Sequence, residues 1–223
     1  MSWSNWIVDA FKERVISRTG SQYNPTLEVI RSGNHLVLDA KSVNYSYGGL
    51  HRAFRQLFRK IRISKWNIGN VLILGFGAGS IASILQHEYQ IDCKITGVEI
   101  DPEVIRIGKE YFRFNSFSNL NLIEQDAILF IEENSEFFDI VVVDLYLDKE
   151  VPPKAETSEF ADFIKKALKT EGHLIFNKWI HDTVSMESAA RLEKVLTNTF
   201  DNLIIYRTGH NRTNRMMVCR RTD

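Results

Sequence analysis

The feature that most constrains the fold of this chain is an apolar run that leads directly into three glycines. Residues 71–80 read Val-Leu-Ile-Leu-Gly-Phe-Gly-Ala-Gly-Ser, and residues 81–85 continue with apolar side chains at helical spacing. A strand that turns sharply into a helix needs glycine where its backbone bends and approaches a ligand. The first N–H groups of the helix favour an electron-rich group. Gly75, Gly77 and Gly79 are therefore candidate ligand-binding residues.

From residue 70 onward, short β-branched runs alternate with longer helical stretches, a pattern typical of βαβ units and a parallel sheet. The predicted strands are Val71–Leu74, Lys94–Glu99, Leu120–Glu124, Ile140–Asp144, His173–Asn177, Leu203–Arg207 and Met216–Arg220. The last two are joined by a segment too short for a crossover helix, so they should form an antiparallel hairpin. A mostly parallel sheet ending in such a hairpin predicts an α/β, Rossmann-like fold of the class I methyltransferase type.

Three further elements are predicted ahead of this sheet. They are an amphipathic helix, a β-hairpin with a glycine turn and a linking helix, at residues 3–16, 26–39 and 50–62. We therefore divide the chain into an N-terminal part, residues 1–66, and a ligand-binding domain, residues 67–223.

Composition restricts the class of protein. Hydrophobic residues make up 44% and charged residues 25%, as in globular proteins. No run reaches the roughly 18 apolar residues of a membrane helix, and the N-terminus has no clean apolar stretch for export. The expectation is a cytoplasmic protein without a membrane partner. Lys and Arg together number 28, as do Asp and Glu, so the net charge gives no argument for a nucleic-acid partner, and none is expected. Cys93 and Cys219 lack a second Cys or His at ligand spacing, which predicts reduced core thiols and no metal site.

Carboxylates stand at the ends of three predicted strands. Glu99 lies 24 residues after Gly75, where a carboxylate can accept both hydroxyls of a ribose. Asp126 follows the next strand, and its side chain and the N–H of Ala127 could bind the edge of an adenine. Asp144 ends a very apolar strand, at the edge where open α/β sheets bind ligands. These residues predict a nucleoside site, in which Asp144 has a functional rather than a structural role.

A nicotinamide dinucleotide uses a similar glycine turn and acid. Here the spacing is Gly-x-Gly-x-Gly, and Ser80 holds the sixth position in place of the Gly or Ala of the dinucleotide fingerprint. The chain also has no Tyr-x-x-x-Lys pair and no length for a separate substrate domain. A different nucleoside is therefore favoured, and a Rossmann-like turn without any ligand stays open as an alternative.

The chain resembles the spermidine synthase family of aminopropyltransferases, within the class I methyltransferases. The segments that carry the resemblance are Leu36–Asp39, Tyr45–His51, Leu72–Gly75, Val98–Ile105, Gln125–Ala127 and Phe138–Asp144. The resemblance implies that Glu99 and Asp126 hold the nucleoside of S-adenosylmethionine or of its decarboxylated form. It also implies that Asp144 lies beside the transferred group and deprotonates the attacking amine.

The chain departs from this family in the residues that bind a polyamine. Ala78 stands where the family has an acid in its glycine turn, and the family's Asp-Glu pair is absent ahead of residue 45. The segment after Asp144 also differs, reading Leu-Tyr-Leu up to Asp148. These departures favour intact S-adenosylmethionine over the decarboxylated form, because an acid at position 78 would repel a carboxylate.

The sequence therefore predicts an S-adenosylmethionine-dependent methyltransferase on a spermidine-synthase-like scaffold. Its acceptor is a small molecule of unknown identity, and Tyr47, His51 and Tyr146 are candidates for binding it, with packing as the alternative role of each. Two alternatives stay open: an aminopropyltransferase that uses decarboxylated S-adenosylmethionine, and a non-catalytic nucleoside-binding or assembly module. A homodimer is also left open.

Overall fold

The computed structural model describes residues 13–40 and 43–223, which form two β-sheets and six α-helices. The strands of the smaller, antiparallel sheet are β1 (Arg14–Thr19), β2 (Leu27–Ser32), β3 (His35–Ala40) and β4 (Val43–Ser46). Those of the larger sheet are β5 (Asn70–Leu74), β6 (Lys94–Glu99), β7 (Leu120–Glu124), β8 (Phe138–Val143), β9 (Leu168–Trp179), β10 (Asn202–Thr208) and β11 (Asn214–Arg220). The helices are α1 (Gly48–Ile61), α2 (Ser80–Ser83), α3 (Pro102–Tyr111), α4 (Ala127–Glu133), α5 (Ser158–Ala167) and α6 (Thr183–Thr199).

The larger sheet has the strand order β10-β11-β9-β8-β5-β6-β7. Strands β5 to β9 pair in parallel, whereas β11 pairs antiparallel with both β9 and β10. This arrangement confirms the predicted fold class and the terminal hairpin. Helices cover both faces of the central strands, so each side chain of Val141–Val143 is buried. This burial on both faces is why these strands are rich in β-branched residues.

Two layers of apolar side chains cover the two faces of this sheet. Helices α1, α2 and α3 pack on one face together with the smaller sheet, and α4, α5 and α6 pack on the other. Leu27 and Leu38 of the smaller sheet share one buried cluster with Phe54 of α1 and Ile73 of β5. The division of the chain at residue 66 stays a prediction.

The N-terminal segment differs in part from the predicted elements. The helix predicted at residues 3–16 lies mostly outside the described residues. Its end is part of β1, because Arg14–Thr19 pairs with β2. Strand β4 was not predicted, whereas the hairpin and the linking helix are confirmed. Cys93 and Cys219 are buried free thiols, as expected, and no helix in the described ranges is long and apolar enough to span a bilayer.

Asp101 joins the smaller sheet to the larger one. Its carboxylate is fully buried and accepts hydrogen bonds from Ser21 Oγ (2.5 Å) and Asn24 Nδ2 (2.8 Å), which lie in the β1–β2 connection. The same carboxylate caps α3 by accepting from the Glu103 N–H at 2.9 Å. One side chain therefore positions the turn after β6 against the N-terminal sheet.

We predict that Asp101→Ala lowers the free energy of unfolding by about 2–4 kcal/mol, because it removes a helix cap and leaves the buried Asn24 amide without its acceptor. Urea denaturation measures this change. Asp162→Ala on the exposed face of α5 is the control and should stay within about 0.5 kcal/mol of the parent. A loss below about 1 kcal/mol for Asp101→Ala would show that this carboxylate does not hold the two sheets together.

Candidate functional site

A cavity of about 470 Å³ lies across the carboxyl ends of the strands of the larger sheet. Its wall begins at the turns after β7 and β6, continues over the turns after β5 and β8, and ends at the carboxyl end of β9 and the tip of the β10–β11 hairpin. This is the edge at which open α/β sheets bind their ligands. The predicted site residues that line it are Gly75, Gly77, Glu99, Asp126, Ala127, Asp144 and Tyr146.

The glycine turn is held by hydrogen bonds within the protein. A Cβ atom on Gly75, whose φ is +84°, would lie 2.3 Å from the Asp144 carbonyl oxygen, so only glycine allows this close approach. Every N–H group of residues 75–79 donates to a protein acceptor, and these acceptors are Val98 O, Glu99 Oε2, Ser46 Oγ and Phe76 O. Gly79 does not line the cavity; it precedes α2 and packs against Phe117. The turn shapes the cavity wall, but its own N–H groups are already engaged.

Glu99 lies at the end of β6 with only 3% of its surface exposed. Its Oε2 accepts the Gly77 N–H (2.8 Å) and its Oε1 accepts the Asp101 N–H (3.1 Å). Burial raises the pKa of this carboxyl group to about 7. A carboxylate has about four lone-pair sites, so Glu99 keeps acceptor capacity for a ribose. The residues present thus fit the nucleoside that the sequence predicts.

Asp126 follows β7 and caps α4. Its Oδ1 accepts the N–H groups of Ile128 (2.7 Å) and Leu129 (3.4 Å). The cap places Asp126 and Ala127 together at the cavity wall. Their contact with an adenine stays a prediction.

Asp144 directly follows β8 and lines the middle of the cavity. Its Oδ1 accepts a hydrogen bond from Asn177 Nδ2 at 2.8 Å. Burial raises the pKa of Asp144 to about 7, although the Asn177 bond acts in the opposite direction. Asn177 is in turn oriented by Asn214, whose Nδ2 donates to Asn177 Oδ1 at 3.0 Å. The structure therefore presents a buried carboxyl group that can exchange a proton near neutral pH.

The three candidate acceptor residues do not lie together. Tyr146 lines the cavity, but its hydroxyl donates to Asn177 O (3.2 Å) and accepts from the Trp179 N–H (2.6 Å), and burial raises its pKa well above the ordinary value. Tyr47 and His51 do not line the cavity. Their acceptor role stays a prediction that the cavity geometry does not support.

Tyr47 and His51 instead pack beside α2. The Tyr47 ring stacks on His51 and on Phe112, with centroids 5.2 and 5.0 Å apart, and His51 Nε2 lies 2.6 Å from Glu88 Oε1. The Tyr47 N–H donates to Ser80 Oγ, which turns this loop toward α2. The neighbouring residues Ser46, Gly49 and Leu50 line the cavity in their place.

Sequence reasoning missed several residues of the cavity wall. Asn177 was the last residue of a predicted strand. A polar residue at the carboxyl end of a strand was the criterion that identified Glu99 and Asp144, and it would have identified Asn177 as well. Trp179 extends the same strand by two residues. The hairpin-tip residues His210, Asn211, Thr213 and Asn214 also line the cavity, and only the folded chain brings them to it.

The charges at the cavity wall are unbalanced. Glu99, Asp126 and Asp144 line it, whereas no lysine or arginine of the described ranges does so. Above their pKa of about 7, Glu99 and Asp144 carry negative charges that no cation among the described residues of this wall balances, and these charges attract a positively charged ligand.

Comparison with known proteins identifies the family. Residues 59–221 match the family described as the spermine/spermidine synthase domain. This chain belongs to the spermine/spermidine synthase family. A curated member of similar sequence is the polyamine aminopropyltransferase of Sulfolobus acidocaldarius, 27% identical over 201 residues, which cover 86% of this chain and 65% of that protein. The chain spans between about a fifth and two thirds of the length of the curated relatives it matches.

Solved structures of the spermine/spermidine synthase family and of a methyltransferase share the fold. A spermidine synthase in complex with the transition state analogue AdoDATO aligns with a TM-score of 0.74 and 16% identity, over 93% of this chain and 73% of that one. Human methyltransferase-like protein 13 in complex with SAH aligns with a TM-score of 0.59 and 19% identity, over 78% of this chain and 79% of that one. Both the family resemblance and the class I methyltransferase fold are confirmed.

The raised pKa of Asp144 predicts a pH dependence of stability. The folded protein keeps a proton on Asp144 up to about pH 7, whereas the unfolded chain releases it near pH 4, so stability falls as the pH rises through this window. Asp144→Asn removes this pH-dependent contribution to the free energy of unfolding. From pH 5 to pH 8 the parent should lose about 2–3 kcal/mol more than the variant in urea denaturation. Glu99 is present in both proteins, so its contribution cancels, and parallel stability curves would contradict the raised pKa.

Proposed function

We propose that this chain transfers the aminopropyl group of decarboxylated S-adenosylmethionine to an amine. The main support for this proposal is the lining of the cavity at the strand ends. It contains three carboxylates, and no lysine or arginine of the described residues. Donor and acceptor of this reaction are both cations. The family match favours the aminopropyltransferase alternative of the sequence analysis over its methyltransferase interpretation.

The donor half of the site lies over β5, β6 and β7. Glu99 accepts the ribose hydroxyls there, Asp126 and Ala127 contact the adenine, and Gly75 and Gly77 let the backbone approach the sulfur side of the nucleoside. The donor supplies a sulfonium group, whose carbon–sulfur bonds are activated toward a nucleophile. Positioning this group against the acceptor is the main catalytic requirement.

The decarboxylated donor suits this wall better than intact S-adenosylmethionine. A carboxylate on the donor would meet no lysine or arginine of residues 13–40 and 43–223, and the N–H groups of residues 75–79 already have acceptors. It would also add a negative charge near Glu99 and Asp144. The decarboxylated form has no such group.

Asp144 acts on the acceptor as the base. An amine enters as an ammonium ion, which the ionised Asp144 attracts and deprotonates. The freed lone pair of the nitrogen forms the new N–C bond, and the electron pair of the broken C–S bond leaves with the sulfur. Asn177 keeps the Asp144 carboxylate directed into the cavity through its 2.8 Å hydrogen bond.

Methyl transfer from intact S-adenosylmethionine is the second candidate, and Ala78 is the residue that favours it, because the turn lacks an acid to pair with the donor ammonium. Ala78 gives methyl transfer little support, however, because this residue is fully buried and does not line the cavity. The carboxylates that do line the cavity provide the attraction for a cationic donor.

We predict that decarboxylated S-adenosylmethionine binds at least about tenfold more tightly than the intact form, a difference of about 1.4 kcal/mol. Isothermal titration with both nucleosides measures this ratio, and chromatography identifies the product formed with an amine. Release of 5′-methylthioadenosine supports aminopropyl transfer, and S-adenosylhomocysteine would instead establish methyl transfer. Binding without either product would establish the nucleoside-binding alternative.

Asp144→Asn should lower turnover by a factor of about 10²–10⁴, the usual contribution of a general base. Binding of the uncharged nucleoside 5′-methylthioadenosine should change by less than about threefold, because the donor half of the site is intact. Asp148→Asn is the matched control, since Asp148 is exposed in the same loop and does not line the cavity. Full activity of Asp144→Asn would remove this residue from the mechanism.

A further inference from the structure

Asp144 divides the cavity into two halves of different charge. The donor half, over β5 to β7, contains Glu99 and Asp126. The acceptor half lies on the other side, over β9 and the hairpin tip. The residues that line it are Leu147, Pro152, Asn177, Trp179, His210, Asn211, Thr213 and Asn214.

No carboxylate of the described residues lines the acceptor half beyond Asp144 itself. Its polar groups are amides, a hydroxyl and an imidazole. The acids next to this wall in sequence are Asp148 and Glu150, which are both exposed and do not line the cavity, and Glu150 lies 3.3 Å from His181 Nε2. This half can therefore neutralise one positive charge, the one that reaches Asp144.

We infer that the acceptor is an amine with a single positive charge and an uncharged body, rather than a diamine or longer polyamine. This inference rests on the proposed function and names its acceptor class. The reacting nitrogen lies at Asp144. The rest of the molecule extends between the apolar side chains of Leu147, Pro152 and Trp179 and the hydrogen-bonding side chains of Asn211 and Thr213.

A second ammonium group would be unfavourable in this half of the cavity. It would lose water on entering and gain no carboxylate in return. The Trp179 ring could attract a cation, but this interaction is weaker than the hydration it replaces. A hydroxyl group in the same position can instead exchange hydrogen bonds with Asn211 or Thr213 at little cost.

The transfer step is balanced with such an acceptor. The ammonium of the acceptor gives one proton to Asp144, and its nitrogen lone pair then forms a bond to the propyl carbon next to sulfur. That carbon–sulfur bond breaks, its electron pair stays on sulfur, and the sulfonium becomes a neutral thioether. The acceptor's own charge passes to Asp144 as a proton, the positive charge of the sulfonium moves to the newly alkylated nitrogen beside Asp144, and no charged group has to enter the second half of the cavity.

Putrescine and 4-aminobutanol provide the test, because they have the same chain length and differ only in the second ammonium, which a hydroxyl group replaces. Calorimetry on the full chain saturated with 5′-methylthioadenosine gives their dissociation constants. Amine-dependent release of 5′-methylthioadenosine from the decarboxylated donor gives their kcat/KM. We expect 4-aminobutanol to be favoured at least about tenfold in both measurements.

Asn211→Asp adds the missing counter-charge with almost no change of shape. Asn211 has a φ of +52°, a conformation that Asp tolerates as Asn does. This variant should shift the preference toward putrescine by about tenfold or more. Asn121→Asp is the control, because it makes the same change at an exposed position on β7, at the opposite edge of the sheet, and it should leave the preference unchanged.

The two measurements separate this inference from the proposed function. Tighter binding of 4-aminobutanol without any transfer would overturn the transferase and support the acceptor class. Transfer with putrescine preferred would support the transferase and overturn the inference. The inference is also overturned if neither amine binds the nucleoside-saturated protein, or if Asn211→Asp leaves the preference unchanged.

Discussion

The ligand edge of the sheet depends on the buried carboxylate of Glu99. It accepts N–H groups from Gly77, in the turn after β5, and from Asp101, in the turn after its own strand. Two neighbouring strand-to-helix turns are thereby held at one distance from each other. Asp101 then continues the connection to the N-terminal sheet through Ser21 and Asn24. The shape of the cavity over β5 and β6 follows from this chain of contacts.

The same burial that positions these carboxylates also changes their chemistry. Glu99 and Asp144 each have a pKa raised to about 7, because the surrounding protein replaces much of the water that would stabilise their charged forms. For Glu99 the cost of burying the charged form is partly offset by hydrogen bonds from two backbone N–H groups. Asp144 has one amide donor, Asn177, and faces the open cavity. Asp144 is therefore the carboxyl group best suited to accept a proton from a ligand. Glu99 is better suited to accept hydrogen bonds from a bound ligand.

Much of the fold, and the strand-end residues that line one side of the cavity, could be predicted from the sequence. In a parallel sheet the end of each strand lies at the same edge, so Gly75, Glu99, Asp126 and Asp144 are brought together by topology alone. The acceptor half could not be predicted in this way. Tyr47 and His51 were selected from a segment whose direction is decided by packing, and their rings lie against Phe112 rather than in the cavity.

By itself the sequence determined the order of the strands along the chain, the parallel sheet with its terminal hairpin, and the carboxylates at the strand ends. These follow from local periodicity and from the position of each polar residue within its own element. Only the tertiary structure decided which side chains face the cavity beyond Asp144. The tip of the β10–β11 hairpin reaches Asn177 through Asn214, a contact between residues 37 positions apart. Such contacts depend on how elements pack, because no local pattern specifies which distant side chain a buried group will meet.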